Sequence, residues 1–168
     1  MKTLLILRHA KSSWDDASLS DFERPLNQRG LRAAPLMGAV LRENGLQPQT
    51  ILSSPARRAA QTAALVKEAA RIETKINFVE GIYEASPLRL LDIVSAIENE
   101  NQTALVVGHN PGLENFVKML SGEFYQMPTA TLVKVDLTIE NWRDVKSECG
   151  TVSLFVRPKD LADGTTLS

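Results

Sequence analysis

The stretch Thr3-Leu4-Leu5-Ile6-Leu7-Arg8-His9-Ala10-Lys11 decides the fold. An apolar run meets Arg8, His9 and Lys11 with no turn residue between them. A continuous apolar run of this length reads as a strand covered on both faces, the kind found in parallel sheets. A strand of that kind needs helices above and below it, and the rest of the chain is expected to supply them.

Working outward, further strands are expected over Thr50–Leu52, Lys75–Val79, Thr103–Val107, Leu132–Leu137 and Val152–Val156. Helical patterns lie between them. Arg29–Asn44 carries Ala33, Met37, Val40 and Leu41 on one face, with Asn27 as N-cap and Pro35 expected to kink or delay the helix. Arg57–Arg71 is rich in Ala, Pro87 opens a third helix and Pro111 a fourth. No helix of normal length separates the last two strands, so they are expected to form a more antiparallel edge. The alternation predicts an α/β protein, a three-layer α/β/α sandwich with a mostly parallel central sheet, in one domain over residues 1–168. The polar tail, from about residue 160 and including Ala162–Ser168, is expected to fray.

The chain has 168 residues and a net charge of −1, which argues against a broad nucleic-acid or membrane surface. The N-terminal apolar run is too short for a secretory signal. A single cysteine, Cys149, excludes an internal disulfide, and two histidines with one cysteine make no zinc-type cluster. The expectation is a cytoplasmic protein with no metal and no cofactor. Cys149, beside Gly150, reads as inert.

Open α/β sheets place their sites beyond the carboxyl ends of the strands. Arg8 and His9 stand there after the first strand, Ser53-Ser54-Pro55-Ala56-Arg57-Arg58 after the second, and Gly108-His109-Asn110-Pro111-Gly112 after the fourth. Two arginines, two histidines and nearby helix N-termini would converge on one crevice. Guanidinium forks and free helix N–H groups suit a tetrahedral anion.

These motifs resemble the histidine phosphatase (phosphoglycerate mutase-like) superfamily. RHAKSSWD resembles its RHG signature, with Ala10 in the glycine position. SPARRAAQTA resembles the second arginine motif, in a register that selects Arg58 over Arg57. VVGHNPG resembles the second histidine motif, at His109, and FERPLNQRG is similar to the start of the first helix in the small SixA-type phosphohistidine phosphatases. The resemblance implies that His9 is a nucleophile that carries the phosphoryl group covalently, while Arg8, Arg58 and His109 bind the substrate phosphate and stabilise its charge. It puts Glu84 where the wider family often has a general acid, although SixA-type members commonly do without one, because the P–N bond to imidazole breaks readily. Asp15 falls where a phosphate-pocket asparagine often stands; a carboxylate there would repel phosphate, and Asp15 is left out of the set.

Other residues read more plainly. Arg57 suits a solvated helix face, Ser12, Ser53 and Ser54 suit loop and capping roles, and adjacent Asp15 and Asp16 point apart and make a poor metal site. Trp14 fits the rim of the site or local packing equally. Short connections, with residues 11–28 the longest, suggest an uncovered site open to a side chain of another protein. The implied function is hydrolysis of phosphohistidine on a phosphorylated protein, such as the phospho-transfer domain of a signalling relay. A small-molecule phosphomonoesterase is the alternative, and a noncatalytic phosphoprotein-binding module a third.

Overall fold

The computed structural model describes residues 1–162. Six strands form one sheet: β1 (Lys2–Arg8), β2 (Thr50–Ser53), β3 (Ile76–Phe78), β4 (Thr103–Gly108), β5 (Leu132–Leu137) and β6 (Gly150–Val156). Their spatial order is β3-β2-β4-β1-β5-β6. The pairs among β1, β2, β3 and β4 are parallel, while β5 pairs antiparallel with both β1 and β6. The sheet is therefore mostly parallel, with the antiparallel edge expected from the sequence.

Side chains alternate across a strand, so β1 feeds two cores. Leu4 and Ile6 join Val106, Leu113, Phe116 and Trp142 on one face. Leu5 and Leu7 join Met37, Leu41, Ala59 and Val66 on the other. All four β1 side chains are fully buried, each contributing about 2 kcal/mol of apolar burial. That burial fixes the strand that ends in Arg8. Helices α1 (Gln28–Glu43), α2 (Arg57–Ala70) and α5 (Pro158–Ala162) lie on the second face, while α3 (Pro87–Ser95) and α4 (Gly112–Ser121) lie on the first.

Asn27 caps α1 as expected, its Oδ1 accepting from Gly30 N–H at 2.9 Å. Pro35 does not delay this helix. It sits within Gln28–Glu43, where buried Ala34, Met37, Val40 and Leu41 hold the second half against the sheet. The expected fraying is also corrected in part. Pro158–Ala162 is helical, and Asp160 accepts from the Arg157 backbone at 2.9 Å and pairs with its guanidinium at 2.8 Å. The remainder of the predicted tail, 163–168, lies outside the described residues. Among the described residues, no helix is long and apolar enough to cross a membrane.

Candidate active site

Register builds the site. Parallel pairing sets Arg8 opposite Gly108 and Ser53 opposite Val107. The next residues along, His9, His109 and Ser54, are thereby brought together at one end of the sheet. After β1 the chain turns to the α1 face, and after the neighbouring β4 it turns to the α4 face. This divergence opens the crevice typical of a doubly wound sheet. The His9 and His109 rings lie 5.1 Å apart, centroid to centroid.

His9 is 7 % exposed. Its Nδ1 lies 2.7 Å from the carbonyl oxygen of Ala10. A carbonyl only accepts, so Nδ1 carries the hydrogen and Nε2 keeps its lone pair. Burial pushes the His9 pKa down to about 3, helped by His109, Arg58 and Arg8. The ring is therefore neutral, as a nucleophile must be.

His109 is held through Nε2, 2.7 Å from Ser54 Oγ. Ser54 Oγ accepts from Ala56 N–H at 3.2 Å and can donate its own proton to Nε2, which leaves the His109 hydrogen on Nδ1. Burial and the Arg58 charge lower the His109 pKa to about 4.

Arg8 Nη1 donates to the carbonyl of Met127 at 2.9 Å. Met127 is secured in turn by Glu114, which accepts from its N–H at 2.9 Å, and by Asn110, which donates to its carbonyl at 2.9 Å. Burial lowers the Arg8 pKa against the opposing charge of Glu114. Arg58 is buried whereas Arg57 is exposed, the register expected from the motif. Arg8 Nε, Arg58 Nε and His109 Nδ1 are all buried with no hydrogen-bond partner among the described residues. Three donors without acceptors around a neutral imidazole can bind a tetrahedral oxyanion.

The first turns of α2 and α4 start at this same end of the sheet; Asn110 Oδ1 accepts from Glu114 N–H at 3.3 Å, and the remaining first-turn N–H groups have no side-chain partner among the described residues. Gln61 and Thr62 have a tethering role. Gln61 Oε1 accepts from Leu26 N–H at 2.8 Å, and Thr62 Oγ1 accepts from Ala10 N–H at 3.0 Å while donating to Arg58 O at 2.7 Å. The fully buried Ala10 is thus bonded directly to the helix that carries Arg58.

Sequence reasoning missed Asp21. It lies in a 3₁₀ turn over Asp21–Glu23. Its carbonyl accepts from Arg58 Nη1 at 2.7 Å, and its carboxylate meets Arg58 Nη2 at 3.0 Å. The same carboxylate accepts from the Tyr83 hydroxyl at 2.6 Å and pairs with Arg24 at 3.1 Å. The Tyr83 hydroxyl, with the Arg58 charge behind it, holds the Asp21 pKa down to about 2. Tyr83 also packs edge-on to His109 at 5.5 Å and to Phe22 at 5.2 Å. Ser54, read from sequence as a loop or capping residue, both caps and orients His109.

Glu84 is exposed, has a left-handed backbone with φ of 57°, and lines a cavity of about 410 Å³ with His109, Asn110 and Gly112. It borders the site without entering the buried cluster. Asp15 is exposed, and its N–H donates to Ser13 Oγ at 3.1 Å. Trp14 is 72 % exposed, and the Arg24 guanidinium stacks 3.4 Å from its ring centre. Among the described residues, no group of three His, Cys, Asp or Glu could hold a metal ion.

Comparison with known proteins agrees with this geometry. Residues 4–87 match the family model of the histidine phosphatase superfamily (branch 1), a span that includes Arg8, His9, Arg58 and Glu84 and stops short of His109. An uncharacterized protein of Mycobacterium tuberculosis is 30 % identical over 164 residues, covering 91 % of this chain and 100 % of that protein. The structure of the candidate phosphohistidine phosphatase SixA from Agrobacterium tumefaciens is 27 % identical, with a TM-score of 0.81 over 94 % of this chain and 98 % of that one. The protein histidine phosphatase SixA complexed with tungstate is 25 % identical, with a TM-score of 0.82 over 95 % and 99 %.

Proposed function

Because the chain belongs to the histidine phosphatase superfamily, a family that together with this site supports a phosphatase, we propose that it hydrolyses phosphohistidine on a protein through a covalent intermediate on His9. The observation that carries the proposal is a neutral His9, its tautomer fixed by Ala10, ringed by the unpartnered donors of Arg8, Arg58 and His109. The solved SixA structures, one of them holding the oxyanion tungstate, support phosphohistidine as the substrate class.

In the first step, the Nε2 lone pair attacks phosphorus. The new P–Nε2 bond forms as the bond from phosphorus to the substrate imidazole breaks, and that imidazole leaves with one proton from solvent. Arg8, Arg58 and His109 neutralise charge on the equatorial oxygens. The phosphorylated ring is positive, and the Ala10 carbonyl stabilises it through the Nδ1 hydrogen. Water then attacks phosphorus, inorganic phosphate leaves, and His9 regains its lone pair. Exposed Glu84 is dispensable for an imidazole leaving group but is the general acid an alkoxide would need. The longest connection, residues 9–27, carries a 3₁₀ turn and one isolated bridge between Ser12 and Leu26. Among the described residues no further domain covers the site, which favours a protein-borne side chain over a small metabolite. A cytoplasmic relay protein as partner belongs to the same proposal.

His9→Ala is expected to abolish turnover while leaving the fold intact. Wild-type protein quenched during turnover is expected to hold phosphate that is stable to base and labile to acid, as phosphoramidates are. A comparison of kcat/KM on a phosphohistidine peptide and on alkyl phosphates tests the substrate class. A preference for alkyl phosphates, with a loss of roughly 10²–10⁴ on Glu84→Gln, would assign a phosphomonoesterase instead.

A further inference from the structure

A second cationic cavity lies beside the active site. It measures about 210 Å³ and is lined by Lys11, Arg29, Thr129, Arg157 and Lys159, among others. Lys11 follows His9 by two residues. Thr129 precedes Ala130, whose N–H bonds to the carbonyls of Arg8 and His9 at 3.1 and 3.0 Å. Two short backbone connections, through Lys11 and through Thr129, thus link the cavity wall to His9.

Its charge is out of keeping with the rest of the molecule. In a chain of net charge −1, four cations border one small cavity. Asp160 pairs with Arg157 and its charge also reaches Lys159. Lys11, Arg29 and Lys159 form no ion pair among the described residues. Arg29 also stands in the first turn of α1, which has no acidic residue there. A cation at a helix N-terminus opposes the helix dipole, typically at a cost of about 0.3–1 kcal/mol. Clustering like charges adds to that cost, and an anionic group in the cavity would offset both.

We propose that this cavity receives a carboxylate of the protein substrate, an Asp or Glu close to the phosphohistidine, so that phosphate and carboxylate are held together. The proposal rests on the protein-phosphohistidine reading above. The volume suits one carboxylate side chain, and three exposed cations give it a long-range attraction that salt should weaken. Acidic flanks would then determine which phosphoproteins dock, while the chemistry stays with His9.

The test uses the full chain and the variant Lys11→Ser/Arg29→Ser/Lys159→Ser, with p-nitrophenyl phosphate, phosphohistidine peptides flanked by Asp/Glu or by Asn/Gln, and the unphosphorylated acidic peptide. The variant is expected to raise KM for the acidic phosphopeptide about 10-fold at unchanged kcat, since each exposed charge pair contributes modestly. The neutral phosphopeptide and p-nitrophenyl phosphate are expected to be unaffected, and added salt to erase the difference. If wild type cleaves both phosphopeptides with equal KM, the docking site is overturned and the phosphohistidine reading stands. If the acidic peptide binds through these three residues but no phosphohistidine is cleaved, the site stands and that reading falls. Free citrate binding as tightly as the acidic peptide would also overturn the proposal, since a small anion would then suffice.

Discussion

At the scale of single residues, His9 and His109 have opposite demands from folding and from chemistry. Both are pushed well below the ordinary histidine value, to about 3 and about 4, chiefly by burial. In the unfolded chain they titrate near 6.5. Between those limits the unfolded chain binds protons that the native state refuses. Stability is therefore full above pH 6.5 and falls as the pH drops, by up to about 1.4 kcal/mol per pH unit for each histidine. Urea unfolding between pH 7 and pH 5 is expected to show this slope, and His9→Asn to remove about half of it. Asp21, held at about 2, contributes stability that is fully present above the usual carboxylate range and is lost only as the pH falls from there toward 2, so this window is unaffected. Its effect is on binding. Asp21→Asn removes a negative charge beside Arg58, worth about 1 kcal/mol for a solvated pair at contact distance, so competitive inhibition by inorganic phosphate is expected to tighten roughly 5-fold. Weaker inhibition would show that Asp21's grip on the guanidinium matters more than its competition for it. The meeting of His9, Arg8 and His109 at one end of the sheet was legible because all three follow apolar runs. Asp21 was not, since 37 residues separate it from Arg58 and no periodicity links them.

At the scale of elements, the close approach of α1 to the loop after β1 depends on Gly30. A Cβ there would overlap the carbonyl oxygen of Lys11, and backbone cannot swing aside as a side chain can. Gly30→Ala is expected to cost about 1–3 kcal/mol, the range for overpacking, and to lower kcat by shifting the segment that carries His9. Gly45→Ala is the control. That glycine has a φ of 64° and open space around it, so the expected loss is only about 1 kcal/mol of backbone strain, with kcat unchanged. Thermal unfolding and steady-state rates separate the two. The strands were readable to within a residue or two because β1 and β4 are buried on both faces and unbroken. The short helix α5 was not readable. Five residues carry too little periodicity, and its start is fixed by the Asp160–Arg157 contact rather than by an apolar face.

At the scale of the whole molecule, sequence order and spatial order part company. β1, the first strand in the chain, is central in the sheet, between β4 and β5. Its register partners are Thr103–Gly108 on one side and Leu132–Leu137 on the other. The alternation of strands and helices announced the layers, but nothing local announced that neighbourhood, because pairing across so many residues leaves no short-range trace. During synthesis the consequence is one of timing. Leu4–Leu7 leave the ribosome some hundred residues before Thr103–Gly108, the first of their sheet partners to be made, a wait of roughly 5–20 s at 5–20 residues per second. Through that interval the nascent chain presents an apolar strand with two bare edges, a template for unwanted pairing. Such long-range closure also makes for slow folding. The His9 imidazole therefore meets His109 only after β4 has emerged, and a chaperone that shields this apolar strand meanwhile would protect the segment that carries it.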